Sequence, residues 1–348
     1  MYLTRRNFIK YSGLSLPAVG LMSSVEFGPK DEVIIGHNEY KYKVKVGWGA
    51  LDAGINPVND CHEMVEDKQG RLLLLTNETK NNVLIYDKSG KLLETWGTTY
   101  PGAHGFTLYN DGFEESLFIC DTSRHQVIQT DLAGNVKMKL DYPKETGVYD
   151  HPSQYLPTES AVNPINGDIY VVDGYGLNYV IQYSSKGEYI RHWGGKGTEN
   201  NQFQCCHGIV VDQRNKNRVT LIITSRVDNC WKKFTLDGQY ISTIALPGSF
   251  ICRPVIKGDL LMGAVFRSTS ESYPNSGYIQ ILNKADRVVS TPGGTAPEYL
   301  RNVLQEQRKQ DPFKIFMHPH DVCMDSDNNI YVPQWASQKT YPIKLERT

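Results

Sequence analysis

Short runs in which apolar residues dominate or alternate with polar ones recur along the chain, separated by turns rich in Gly, Asn and Asp. Four stretches show the pattern most fully: LLLLTNETKNNVLIYDKSGKLLETWG, LFICDTSRHQVIQTDLAGNVKMKL, IYVVDGYGLNYVIQYSSKGEYIRHWG and LIITSRVDNCWKKFTLDGQYISTIAL. A side-chain period of two is that of a strand, and a short continuous apolar run is that of a strand covered on both faces. Each stretch reads as strand, loop, strand, tight turn, strand. The turns KSGK, LAGN, SKGE and LDGQ are hairpin signals between the last two strands. Ahead of these stretches stand related short segments, CHEMVED, AHGFTLYND, PTESAVN and CHGIVVD, with a fifth, PHDVCMD, near the end of the chain. His62, Thr158, His207 and His320 each lie five positions before an Asp or Asn, and in the AHGF segment Tyr109 takes that place with Asn110 just beyond. The five segments therefore share a register.

A repeat of about 40 to 50 residues carrying four short strands is the pattern of one propeller blade. Repeats begin near residues 60, 102, 156, 205, 250 and 318. The expectation is thus an all-β, six-bladed β-propeller occupying residues 31–348. The fifth repeat keeps its strand alternation but has no histidine in its first strand. Residues 297–316, PEYLRNVLQEQRKQDPFKIF, read as a helical insertion. The run YKYKVKV at residues 40–46 alternates like a strand, while TYPIKLE ends the chain one strand short, so the N-terminal run is expected to complete the last blade. Closure of that kind removes exposed sheet edges.

His104, His207 and His320 fall in the second, fourth and sixth repeats. In a closed ring, alternate blades aim these three imidazoles at the axis from directions about 120° apart, which builds a metal site by symmetry. Three neutral imidazoles and an open fourth position suit a catalytic zinc ion, with Zn–N distances of about 2.0–2.1 Å. His62 is a fourth histidine at the shared position, from the first repeat, and reads as a further ligand, a proton carrier or a channel-lining residue; His318 is a second additional channel candidate. Tyr175 precedes Tyr183, and Arg226 precedes Phe234, by the same eight residues, so the two share one loop position in neighbouring blades.

Composition narrows the partners. The chain has 348 residues, 22% of them charged, and a formal net charge of −1. No basic run follows the N-terminus, which argues against a nucleic-acid or anionic-membrane partner. The start, LTRRNFIKYSGLSLPAVGLMSS, places Arg5 and Arg6 ahead of a modest apolar stretch and resembles a twin-arginine export signal over residues 1–30. That stretch is too short and too diluted by Ser, Gly and Pro for a stable membrane anchor. The expected location is periplasmic or extracellular, and the expected state a monomer acting on a small molecule or peptide. Seven cysteines fit no disulfide or zinc-ribbon framework and read as buried thiols.

The run from PTESAVN through DGYGLNYV to CHGIVVD, together with AHGF followed by CDTSRHQVIQTD and the closing PHDVCMDSDNNIYV, resembles the catalytic core of peptidyl-α-hydroxyglycine α-amidating lyase, a six-bladed propeller of NHL-repeat type. The likeness runs from about residue 58 to 345. It implies zinc on His104, His207 and His320, a catalytic tyrosine at Tyr175 within Asp173-Gly174-Tyr175, and a partner arginine at Arg226. It also implies a structural calcium in the channel, held by Asp321 with backbone carbonyls; read from the residues alone, Asp321 is equally a carboxylate orienting a ligand imidazole or a turn residue. The implied chemistry is collapse of a hydroxyglycine hemiaminal to an amide and glyoxylate. Departures are His62, His318 where the family has methionine, and Gly176 where it has cysteine. The family's other active-site arginine has no aligned counterpart, Arg71 and Arg124 being the candidates. The competing functional reading is a non-catalytic binding propeller of NHL type with a structural metal in its channel.

Overall fold

In the computed structural model, which describes residues 32–268, 276–310 and 314–348, six antiparallel sheets follow one another along the chain. Blades 1 to 4 are four-stranded and span residues 61–96, 103–140, 159–194 and 209–245. Blade 5 covers 249–290. Its innermost strand is split into Ser249–Ile251 and Val255–Lys257, both paired with Leu260–Ser268. Blade 6 joins Cys323–Met324, Ile330–Val332 and Ile343–Arg347 to Tyr40–Lys45 from the N-terminal side. The last blade is closed as expected, with Val44 opposite Leu345. An outer fifth strand, Ile34–His37, adds to it. The fold is a six-bladed β-propeller.

The burial pattern explains the composition of the strands. In blade 1 every residue of Leu72–Thr76 and Val83–Tyr86 is buried, whereas the outer strand Leu92–Trp96 is largely exposed. Middle strands are covered on both faces by the flanking blades, so they are continuously apolar; outer strands meet solvent and alternate. Leu73, Leu75, Val83 and Ile85 pack on Phe106, Leu117 and Ile119 of blade 2. Between blades 5 and 6, Met262, Ile279 and Ile281 meet Val322, Met324 and Leu345. Each such aliphatic side chain contributes about 1.5–3 kcal/mol on burial, and the core is accordingly a set of inter-blade layers. The hairpin turns add a second tie. Gly134 and Gly238 have φ of +88° and +90°, and a β-carbon there would come within 2.6 Å of Trp96 and 2.7 Å of Trp193, the outer-strand tryptophans of the preceding blades. Only glycine satisfies both the turn and the stacking.

Among the described residues of 297–316 there is no helix. Tyr299–Leu300 and Val303–Leu304 form a hairpin whose two turn residues, Arg301 and Asn302, have φ of +49° and +65°, the left-handed pair of a tight hairpin turn. Tyr299 anchors it to the edge of blade 5: its hydroxyl accepts from Val288 N at 2.7 Å, and the Arg287 guanidinium stacks 3.9 Å above its ring. The apolar spacing mimicked a helix, but the edge contacts decided the outcome. All seven cysteines are unpaired, six of them buried and Cys205 partly so. No described helix is long and apolar enough to cross a membrane. The residues expected to form the export signal lie outside the described residues, which begin at residue 32.

Candidate metal centre at the channel mouth

From blade 6 through blades 1 to 5 the innermost strands adjoin in order, and the residues at their starts form a layer. Blade by blade it reads His62, His104, Thr158, His207, Cys252 and His320. In blades 1 and 2 the histidine is the extra residue of a β-bulge, between Cys61 and Glu63 and between Ala103 and Gly105. Bulges re-aim a side chain out of the ladder. The rings of His62, His104 and His320 stand 4.7–4.9 Å apart, and His207 lies 4.8 and 4.9 Å from His104 and His320. All four are buried. His104 Nδ1 faces the Thr158 carbonyl at 2.8 Å and His320 Nδ1 the His62 carbonyl at 3.1 Å. Donation there fixes both tautomers and leaves each Nε2 lone pair for a ligand. Burial, the largest cause, holds all four histidines below the usual imidazole range, His62 down to about 3, with Arg226 acting in the same direction. They are neutral near pH 7, the form that binds a metal. The donor chemistry therefore fits an ion of the zinc class.

Tyr175 and Arg226 do share a loop position. Asn178 and Asn229, three residues after each, both take positive φ, +67° and +51°. Asp173 staples the tyrosine turn, accepting from Leu156 N, Leu177 N and the Tyr149 hydroxyl at 2.7, 2.6 and 2.9 Å. One edge of the Tyr175 ring is exposed at the mouth, while its hydroxyl turns inward, 3.1 Å from His207 Nε2, 3.2 Å from His104 Nε2 and 3.5 Å from Arg226 Nη1. Burial raises this phenol to about 12, and Arg226 opposes the rise. Arg226 is itself buried, contacts the Ile251 carbonyl and Cys252 Sγ, and lies 5.5 Å from the Phe266 ring. Among the described residues no carboxylate neutralises it. His62, His104, His320, Tyr175, Arg226 and Trp335 are among the residues that line a cleft of about 500 Å³. A larger cleft of about 940 Å³ lies beside Arg214, Lys233 and Lys284, away from the histidines, so volume alone does not locate the chemistry.

One residue further along each inner strand lies a second layer: Glu63, Gly105, Glu159, Gly208, Arg253 and Asp321. Arg253, from the break in blade 5, sits among the three carboxylates. It approaches Asp321 through Nε and Nη2 at 2.7 and 2.8 Å and Glu63 and Glu159 through Nη1 at 3.0 and 3.4 Å. It also donates to the Met64 and Phe106 carbonyls at 3.1 and 3.0 Å. Glycine is required in this layer because β-carbons on Gly105 and Gly208 would lie 2.6 Å from the Thr158 carbonyl and 2.4 Å from Arg253 Cα.

This layer corrects the expectations for Asp321 and calcium. Both Asp321 oxygens are taken by Arg253, one of them also accepting from Met64 N at 3.0 Å. The carboxylate and carbonyls that suit calcium are thus occupied by a guanidinium, and the residues do not fit that ion. Asp321 orients no imidazole. His318 also lies outside the histidine layer; it is buried beside Phe266 and Trp335, behind the aromatic wall. Neither arginine candidate reaches the histidines: Arg71 pairs with Asp67, and Arg124 donates to the Thr99 carbonyl. Arg253 was the residue that sequence reasoning missed, although its column holds three acids and one base.

Fold and site together define a six-bladed propeller with a histidine cluster at one mouth of its channel. No family model matches the chain. It is similar to peptidylglycine alpha-amidating monooxygenase of Rattus norvegicus, 23% identical over 266 residues, covering 72% of this chain and 24% of that protein. It is also similar to NHL repeat-containing protein 3 of Homo sapiens, 26% identical over 230 residues, covering 58% of this chain and 65% of that protein. Among solved structures, a gluconolactonase from Xanthomonas campestris superposes with a TM-score of 0.58 at 10% identity, over 91% of this chain and 95% of that one. At that identity the structural likeness concerns the fold alone.

Proposed function

We propose that the protein is an exported, metal-dependent lyase that cleaves an α-hydroxyglycine-type hemiaminal to an amide and glyoxylate at this mouth. The observation that carries the reading is the Tyr175 hydroxyl, in reach of two histidine Nε2 atoms and of a buried guanidinium that has no carboxylate partner among the described residues. The similarity to an amidating monooxygenase supports the substrate class. Zinc on His104, His207 and His320 would supply Lewis-acid polarisation of a substrate oxygen. Tyr175, held as phenolate by the positive charge of the ion and of Arg226 against the rise that burial causes, would take the proton from the substrate hydroxyl as its oxygen becomes the aldehyde oxygen. The C–N bond breaks in the same collapse, and the proton returns to the departing amide nitrogen. Arg226 would hold the negative charge that develops, in a site where burial strengthens the interaction.

The test is metal analysis of the full-length protein followed by assay of glyoxylate release from a peptidyl-α-hydroxyglycine. Alanine at His104, His207 or His320 is expected to lose most of the bound metal. Unchanged metal content in all three variants ends the metal reading, and metal-loaded protein that releases no glyoxylate ends the lyase reading. Export rests on the Arg5-Arg6 pattern. Lysine at both positions is expected to retain the protein in the cytoplasm, and unchanged fractionation would remove that part of the proposal.

A further inference from the structure

The alternate-blade trio is not the tightest grouping of ligand atoms. Donor atoms of His62, His104 and His320 all lie within 4.8 Å of one another, as do those of His207, Cys252 and His320. The two triads share His320. Cys252 is the weaker member of its triad, because its Sγ is engaged by Arg226 Nη2 at 3.2 Å. His62 is buried, and among the described residues its Nδ1 has no hydrogen-bond partner. A buried imidazole nitrogen without a partner carries a desolvation cost that coordination of an ion by that nitrogen would offset. Its backbone is already committed to the site, since the His62 carbonyl faces His320 Nδ1 at 3.1 Å.

Resting on the metal reading above, we infer that His62 binds the same ion as His104, His207 and His320, making a centre of four imidazoles instead of three. His62 and His207 come from blades 1 and 4, opposite each other across the ring, and His104 and His320 from blades 2 and 6. Four donors set around a channel axis do not form the closed tetrahedron that zinc prefers in structural sites. Such a set would leave an ion accessible from the side of Tyr175, whose hydroxyl lies over the His104 and His207 Nε2 atoms. Four imidazoles would suit a late first-row ion with a taste for imidazole and would leave room for substrate.

The experiment loads the full-length protein, stripped of metal, with Cu²⁺ and with Co²⁺. Nitrogen couplings in the Cu²⁺ spectrum are expected to count four imidazoles, and Co²⁺ to give the weak visible absorption of a centre with more than four ligands. His62→Ala and the bulkier His62→Leu should reduce the count to three, strengthen the Co²⁺ absorption, and weaken metal affinity by more than the ~10–100-fold that loss of an outer hydrogen-bond partner produces. A count of three in the unaltered protein overturns the inference even if both variants fail to fold. So does a His62 variant with unchanged affinity and spectrum while His104→Ala loses metal. If none of the four histidine variants changes binding, the metal reading itself is lost.

Discussion

Replacing Arg253 with alanine is expected to destabilise the propeller by about 3–5 kcal/mol, the range for removing one partner of a buried ion pair. Arg253 touches acids from blades 1, 3 and 6 and carbonyls from blades 1 and 2. Its loss leaves three carboxylates facing one another with no cation. The pH dependence gives the sign. Burial, opposed by Arg253, already raises Glu63 well above the usual carboxylate range, and Glu159 and Asp321 push it in the same direction as burial. An acid with a raised folded pKa keeps a proton that the unfolded chain releases, so stability falls as pH rises above the unfolded value of 4.5. Without Arg253 the rise is larger, and the deficit should be smaller at pH 5 than at pH 8. Denaturant unfolding at the two pH values is the measurement. Calcium provides a second check. The freed oxygens form the kind of set that calcium takes, so millimolar Ca²⁺ should restore part of the stability of Arg253→Ala and leave the unaltered protein unchanged. A variant as stable as the parent at pH 8 would show that the guanidinium is dispensable.

The histidine layer was legible because repetition preserves register: His62, His104, His207 and His320 stand at one point of a strand motif, and ring closure carries equivalent points to one level of the channel. Tyr175 and Arg226 were legible for the same reason, sharing an eight-residue offset and, in the structure, a turn with a left-handed asparagine. What stayed hidden depends on contacts between repeats. Arg253 lies 68 residues from Asp321 and 94 from Glu159, in the repeat with the least clear motif, and no local period announces that pairing. The sign pattern of the column after the histidines would have exposed it. The calcium expected at Asp321 came from the resemblance alone, and nothing local to the residue shows that Arg253 occupies both of its oxygens. The segment 297–316 failed differently: its apolar spacing matched a helix, and only the docking of Tyr299 on blade 5 reveals the hairpin.

Tyr175→Phe is expected to lower turnover of a peptidyl-α-hydroxyglycine by about 10² or more, the scale of a positioned acid–base group, with little change in metal content or thermal stability. The hydroxyl is the only atom removed. Its contacts are His104, His207 and Arg226, while the turn that places it depends on Asp173, which the substitution does not touch. Arg226 cannot supply the missing function, because a guanidinium does not give up its proton in this pH range. On the proposed mechanism it would stabilise charge and take up no proton. Arg226→Lys keeps a cation but loses the planar fork, so it should retain part of the activity that Arg226→Ala loses. The two positions then separate by their pH profiles. Loss of the phenol should remove the rising limb that reports the proton acceptor, whereas loss of the guanidinium should lower the whole profile. Full activity in Tyr175→Phe, with metal bound, would take the proton-transfer role from this residue and assign the base to a histidine outside the coordination set or to solvent.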